Sequence, residues 1–334
     1  MNTGDYINGR YKVIETLGKG GFGCTYLVRD LTNNGQYAAK NLTFARNNSM
    51  FSKVEELFER EVETMKELNH SQIPEFIEYL KVNQELYLIQ EYIPGVTLEE
   101  EITSGKKYNE EEIICLLNEI LEILKYIHNL PKKIIHRDIK PVNIIRRKND
   151  DKLVLIDYGG VKYFAQTKCM QSQTPPTVIS SGDYTPPEQK GGEAKLCSDI
   201  YALGVTAIAA ITSNNLPTDR NGEITCENLA NISPELKRIL SKMIKPLYEY
   251  RYQKVEEVLS ELKNIRNSSS SQITQVIPSL QINHPTSQSQ ITDRIAAAVM
   301  VVVSIYAICA AAGIIPTIKE TKPYKKAISS ELLS

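Results

Sequence analysis

His136-Arg137-Asp138-Ile139-Lys140-Pro141-Val142-Asn143, followed after a short polar turn by Leu153-Val154-Leu155-Ile156-Asp157-Tyr158-Gly159, is the densest chemical signal in the chain. Asp138 can accept a proton from a hydroxyl nucleophile. Asn143, five residues on, can hold a metal ion. Lys140 can sit beside a transferred phosphoryl group and neutralise the charge that develops there. Residues 153–156 read as a short buried strand that delivers Asp157 just ahead of a glycine. A carboxylate at such a strand end is well placed to bridge Mg2+ to the β- and γ-phosphates of a nucleotide. Each of these short motifs is commonplace alone; their order and spacing are not.

Upstream, Gly18-Lys19-Gly20-Gly21-Phe22-Gly23 is a G-x-G-x-x-G. A dinucleotide-binding version opens a helix after its last glycine. Here Cys24-Thr25-Tyr26-Leu27-Val28 follows, which is strand-like, so a glycine-rich hairpin covering a triphosphate fits better. Bare backbone N–H groups approach phosphates closely. Tyr37-Ala38-Ala39-Lys40 ends another strand, and Lys40 can reach the α- and β-phosphates if an acid holds it. The next helix offers Glu61, with Glu56, Glu59 and Glu63 as competitors.

The surrounding texture divides in two. Residues 11–17, 25–29, 36–41, 76–82 and 85–90 alternate as strands, with turn signals such as Asn33-Asn34-Gly35 between them. A helix is expected over 53–68, with Phe58, Val62, Met65 and Leu68 on one face. After residue 97 helical spacing prevails, over 110–128, 199–212, 234–244 and 254–265. The fold class is therefore α+β: a small β-rich lobe, about 11–93, ahead of a larger α-rich lobe, about 94–266.

From about residue 11 to 266 the chain resembles the catalytic domain of the protein kinases, of the Ser/Thr type found in the eukaryotic-like kinases of bacteria. The resemblance implies a bilobal fold with ATP and Mg2+, or Mn2+, in the cleft. It implies that Lys40 pairs with Glu61, that Asp138 is the catalytic base, and that Asn143 and Asp157 hold the metal. It implies that Gly18, Gly20, Gly21 and Gly23 cover the nucleotide and that Ala38 touches adenine. Gln90 would guard the adenine pocket, with Glu91, Tyr92 and Ile93 as the hinge. Pro186-Pro187-Glu188 is similar to the family's A-P-E, with Arg251 as the distant ion-pair partner, and Asp199 to the buried acid that braces the catalytic loop. Lys140 within D-I-K-P-x-N, together with Ser181, favours Ser/Thr acceptors. Thr25, Tyr158, Pro186 and the Gly159-Gly160 pair depart from the pattern without removing a chemical group. Thr167, Ser172, Thr174, Thr177, Ser180 and Ser181 lie between Asp157 and Glu188, where phosphorylation would give Arg137 an anion to engage. Arg146-Arg147-Lys148 reads as a solvated hairpin turn.

Composition sets the outer limits. The chain has 334 residues and is 42% hydrophobic, enough for a sizeable core. Thirty-nine basic against forty acidic residues leave a net charge of −1, which argues against a nucleic-acid partner. The six cysteines show no C-x-x-C pair, so neither a disulfide scaffold nor a zinc knuckle is expected. Residues 1–10 lack the apolar core of a signal peptide. Residues 267–290, rich in Ser, Gln, Thr and Asn, read as a flexible linker. Residues 295–315, IAAAVMVVVSIYAICAAAGII, carry no charge over twenty-one positions. As a helix they would be about 31 Å long, matching the hydrocarbon thickness, so one transmembrane helix is expected. A short tail, 316–334, follows. Its four lysines favour a cytoplasmic tail, whereas ATP chemistry favours a cytoplasmic kinase domain; the second argument carries the reading. The expected partners are protein acceptors, the bilayer and a second copy for autophosphorylation. The alternatives are an inactive nucleotide-binding scaffold at the membrane and a small-molecule kinase, the latter disfavoured by the long segment between Asp157 and Glu188.

Overall fold

The computed structural model of the chain describes residues 1–20, 23–42, 51–83, 85–158 and 184–274. The first lobe is a six-stranded sheet in the order β1-β2-β3-β4-β6-β5. Its strands are β1 (Tyr6–Ile7), β2 (Tyr11–Gly20), β3 (Gly23–Asp30), β4 (Gln36–Leu42), β5 (Phe76–Val82) and β6 (Glu85–Glu91). All pairings are antiparallel. Period-2 alternation gives the sheet two faces. Ile7, Tyr11, Val13, Tyr26, Val28, Tyr87 and Ile89 form one apolar cluster. Leu42, Leu86 and Leu88 take the other side and join the main core.

Helix α1 (Phe51–Glu67) packs into that main core through Phe58, Val62 and Met65, each at most 2% exposed. In the second lobe come α2 (Leu98–Thr103), α3 (Glu110–His128), α4 (Pro187–Lys190), α5 (Leu196–Thr212), α6 (Pro234–Met243) and α7 (Val255–Thr274). Both α2 and α3 begin with capping boxes, Thr97 with Glu100 and Asn109 with Glu112, which satisfy orphan N–H groups at each start. Fourteen residues of α5 are buried, as its apolar circumference required. A second small antiparallel sheet, β7 (Gly95–Thr97), β8 (Ile144–Arg147) and β9 (Leu153–Leu155), pairs the strand just after the hinge with the two that follow the catalytic loop.

The sequence expectations hold for the bilobal α+β fold and for most elements; 76–82 and 110–128 coincide with β5 and α3. Corrections fall where pattern is weak. β1, β7 and α2 were not anticipated, because two to six residues carry no readable period. Arg146 and Arg147 do not lie in a bare turn: they end β8, Arg146 bonded to Glu101 and Arg147 to Asp150. The linker does not begin at residue 267. Helix α7 continues to Thr274, since the polar stretch has no Gly or Pro before Pro278, and adding residues to an existing helix costs little. No helix among the described residues is long and apolar enough to cross a membrane. The expected span at 295–315, the rest of the linker and the tail lie outside the described residues.

Candidate active site

The site begins in a loop whose backbone is pinned from below. Asp199, fully buried on α5, accepts hydrogen bonds from the backbone N–H of His136 and of Arg137, both at 2.9 Å. The same carboxylate accepts a third, from His128 Nε2 at 2.9 Å. Three donors offset the cost of burying a charge. Arg137 is thereby held at φ 69°, in the left-handed region, and its carbonyl accepts from Gln189 Nε2 at 2.6 Å. The bracing acid was expected; the Gln189 clamp was not. Gln189 follows Glu188 directly, but nothing in its neighbourhood marks an amide that must reach a loop fifty-two residues upstream.

On this base the chemical groups converge. Lys140 Nζ donates to Asp138 Oδ1 at 2.7 Å, and Asn143 Nδ2 donates to Asp138 Oδ2 at 2.8 Å and to its carbonyl at 2.7 Å. These contacts fix the carboxylate plane. They also orient the Asn143 amide: its nitrogen faces Asp138, so its oxygen is the atom that would meet a metal ion. Asp157 follows β9 at φ 70° and accepts from Lys40 Nζ at 2.5 Å. Lys40 also pairs with Glu61 of α1. Burial alone would lower the Lys40 pKa, but the Asp157 and Glu61 carboxylates outweigh it and hold the ammonium above its ordinary value. Of the four glutamates weighed on α1, Glu61 makes this contact. Glu59 instead bonds Tyr79, and Glu63 pairs with Lys66.

His136 packs under the loop, its ring 4.6 Å from that of Tyr158. Nε2 meets the Ile156 carbonyl at 3.1 Å and Nδ1 meets the Asp138 N–H at 3.3 Å. A carbonyl only accepts and an amide N–H only donates, so the ring is the neutral Nε2–H tautomer. Burial accordingly lowers its pKa. With the folded value below the unfolded one of about 6.5, stability is complete above pH 6.5 and is lost as pH falls through the folded value. Lowered carboxylates such as Glu188 act only below about 4.5, so the window from 6.5 to 5 isolates the histidines. His136→Asn should flatten urea-derived stability against pH there by up to about 1.4 kcal/mol per unit, one proton's worth. His70, also lowered by burial, supplies the residual slope. An unchanged slope would place the His136 proton elsewhere.

Over the cleft, β2 and β3 form the glycine-rich hairpin, with Gly20 opposite Gly23. Gly23 is required by the protein itself, since a Cβ there would come within 1.9 Å of the Asn41 carbonyl oxygen. At Gly18 a Cβ would meet nothing within 4 Å, so its bareness leaves room that protein packing does not use. Gly21 lies outside the described residues, as do Gly159, Gly160 and every hydroxyl from Thr167 to Ser181. Ala38 is buried, opposite Leu27 and Gln90. Gln90 and Glu91 end β6, and Ile93 is buried just beyond. The Tyr158 hydroxyl, expected to need a partner, is buried without one among the described residues.

The arrangement fits a nucleotide and Mg2+. Asn143 and Asp157 offer hard oxygens, and Mg2+ is commonly held by one or two protein oxygens together with phosphates and water. Among the described residues no cluster of three or more His, Cys, Asp or Glu forms an all-protein cage. The cleft floor thus brings together the Asp138 carboxylate held by two donors, the Asn143 and Asp157 oxygens that would hold a metal ion, and the half-buried Lys40 ammonium.

The family model for the protein kinase domain matches residues 11–293. Serine/threonine-protein kinase B of Synechocystis sp. is 35% identical over 270 residues, 77% of this chain and 47% of that protein. Serine/threonine-protein kinase PknA of Nostoc sp. is 37% identical over 77% of this chain and 47% of its own length. The chain thus spans about half the length of the curated relatives it matches. Among solved structures, the Mycobacterium tuberculosis PknI kinase domain superposes with a TM-score of 0.62 at 21% identity, covering 79% of this chain and 99% of that one. The apo form of PpkA-294 gives 0.65 at 22% identity, over 78% and 99%. With the cleft built as above and the match running through both lobes, the chain belongs to the protein kinase domain family.

Proposed function

We propose that the protein is a membrane-tethered Ser/Thr protein kinase that transfers the γ-phosphoryl group of Mg·ATP to hydroxyls of protein acceptors. The observation that carries this reading is the joint geometry of the two halves of the site. Asp138 is fixed by Lys140 and Asn143, and Lys40 is fixed by Glu61 and Asp157. Asp138 orients the acceptor hydroxyl and takes its proton. Lys140, beside it, neutralises charge on the transferred group. Lys40 holds the α- and β-phosphates. Asn143 and Asp157 would hold Mg2+, which supplies charge neutralisation between the phosphates when bound. Positioning and electrostatics account for most of the acceleration in such transfers. Both halves are assembled here, which favours an active enzyme over an inactive scaffold. The matched relatives carry the name serine/threonine-protein kinase, and Lys140 agrees with that acceptor class.

Regulation by phosphorylation between Asp157 and Glu188 belongs to the same reading. A cavity of about 390 Å3 is lined by Arg60, Lys132, Lys133 and Arg137. Among the described residues, Arg60, Lys133 and Arg137 form no ion pair. A phosphorylated residue of that segment would neutralise them, in cis or on a second copy. The tether rests on the uncharged run 295–315. A helix there satisfies its own backbone hydrogen bonds in lipid.

One membrane preparation of cells expressing the full chain tests both parts. An aliquot given [γ-32P]ATP, Mg2+ and casein should place label on casein Ser and Thr, and on one or more of Thr167, Ser172, Thr174 and Thr177. A second aliquot, extracted with alkaline carbonate, should keep the protein in the pellet. No label on casein overturns the phosphotransferase reading. Release of the intact chain into the supernatant overturns the span, and makes 295–315 a docking helix instead.

A further inference from the structure

Helix α5 ends in an unusual way. Ser213 and Asn214 both adopt left-handed backbone, at φ 51° and 66°, without a glycine at either position. Asparagine tolerates that region better than most residues, but two in succession store strain, and strain of this kind persists where the surroundings over-determine it. What they determine is visible in the Asn214 side chain. Its Oδ1 accepts from the Tyr184 hydroxyl at 3.1 Å, and its Nδ2 donates to Glu99 Oε1 at 3.0 Å. The assignment is forced, because a carboxylate offers Nδ2 its only chemically sensible partner and a phenol donates to the oxygen.

The three residues come from three places in the chain. Tyr184 is the first described residue after the segment that follows Asp157, and is buried. Five residues on, Gln189 is clamped to the Arg137 carbonyl beside Asp138. Glu99 lies in the first turn of α2, and α2 packs against the 141–143 turn that carries Asn143. The two elements that Asn214 ties together thus each abut the loop that carries Asp138, the 184–189 stretch through the Arg137 carbonyl and α2 through the 141–143 turn.

We infer that Asn214 is a positioning residue for the protein acceptor, fixing the width and register of the acceptor groove by bridging Tyr184 to Glu99. This deepens the kinase reading and rests on it. The bridge touches neither Lys40 nor the glycine-rich hairpin, so it acts on acceptor binding and not on the nucleotide.

The test uses the full chain and an Asn214→Gly variant. Glycine adopts φ 66° without strain, so a residue that merely terminates α5 would be replaced without loss. The bridge, in contrast, is removed. The expected result is a thermal midpoint lowered by no more than a few degrees, since relief of strain at φ 66° partly offsets the lost bridge, a KM for casein raised at least about tenfold, and a KM for ATP within about twofold. Tyr184→Phe should give the same pattern, and the double variant should be no worse than either single one, since both cut one linkage. Hydrogen exchange over 184–190, read without any turnover, should accelerate in Asn214→Gly. An unchanged KM for casein, additive single effects, or unchanged exchange over 184–190 would each overturn the inference. If wild type labels no casein, the kinase reading has failed, and the exchange measurement still decides whether Asn214 holds the segment.

Discussion

Asp138→Asn should lower kcat for acceptor phosphorylation by roughly 10^2–10^4 while leaving ATP affinity within about twofold. General-base catalysis contributes about that much, and Asp138 contacts no group assigned to the nucleotide other than the shared Asn143 and Lys140. The substitution is nearly isosteric, yet it is not silent in structure. In wild type both carboxylate oxygens accept, one from Lys140 and one from Asn143. An amide in their place turns an NH2 toward one of these donors, so a modest fall in thermal midpoint should accompany the kinetic effect. Nucleotide binding by calorimetry and rate by phosphate transfer to casein separate the two. Survival of more than about a tenth of the wild-type rate would show that Asp138 is not the proton acceptor.

Arg251→Ala should give the largest loss of stability, about 3–5 kcal/mol by urea unfolding, the range for removing one partner of a buried ion pair. The Arg251 side chain is fully buried and meets Glu188 with two hydrogen bonds, at 2.7 and 2.9 Å. Arg251 also donates to the carbonyls of Lys245 and Pro246, and its guanidinium lies 4.6 Å from the centre of the Tyr201 ring. Burial alone would raise the Glu188 pKa; hydrogen bonds from Arg251 and from Ser198 hold it below its ordinary value. Truncating Arg251 leaves that carboxylate buried without its cation. Replacing both partners, Glu188→Leu with Arg251→Met, should cost less than Arg251→Ala alone, since no charge is stranded. Because Gln189 is the neighbour of Glu188 and clamps Arg137, activity should fall further than the lost folded fraction explains. A loss under about 1 kcal/mol for Arg251→Ala would mean that solvent reaches the pair.

Comparing what pattern foretold with what packing decided separates two kinds of information. The catalytic loop was legible because its groups are covalent neighbours: Asp138, Lys140 and Asn143 lie within six residues, so their spacing alone nearly fixes their geometry. β5 and α3 were legible for a related reason, since an alternating run or a run at helical spacing states in its own side chains which face must be buried.

The remainder depends on contacts that no local pattern encodes. Glu61 could not be told from Glu56, Glu59 and Glu63 without the rotation of α1 about its axis, which Phe58, Val62 and Met65 set by burying themselves in the core. Lys40 meets Glu61 across 21 residues and Asp157 across 117, separations at which sequence specifies a partner only through the whole fold. The β7–β8 pairing, the Gln189 clamp and the Asn214 bridge are of the same kind. In each, a single polar group or a three-residue strand has no period to announce it. Its role is fixed by burial: inside the protein a donor or acceptor must find a partner, and which partner is near is a property of the folded chain. The sequence by itself determined the lobes and the identity of the reacting groups; the tertiary structure decided which acid holds the lysine and what braces the loop, because those choices are made by packing.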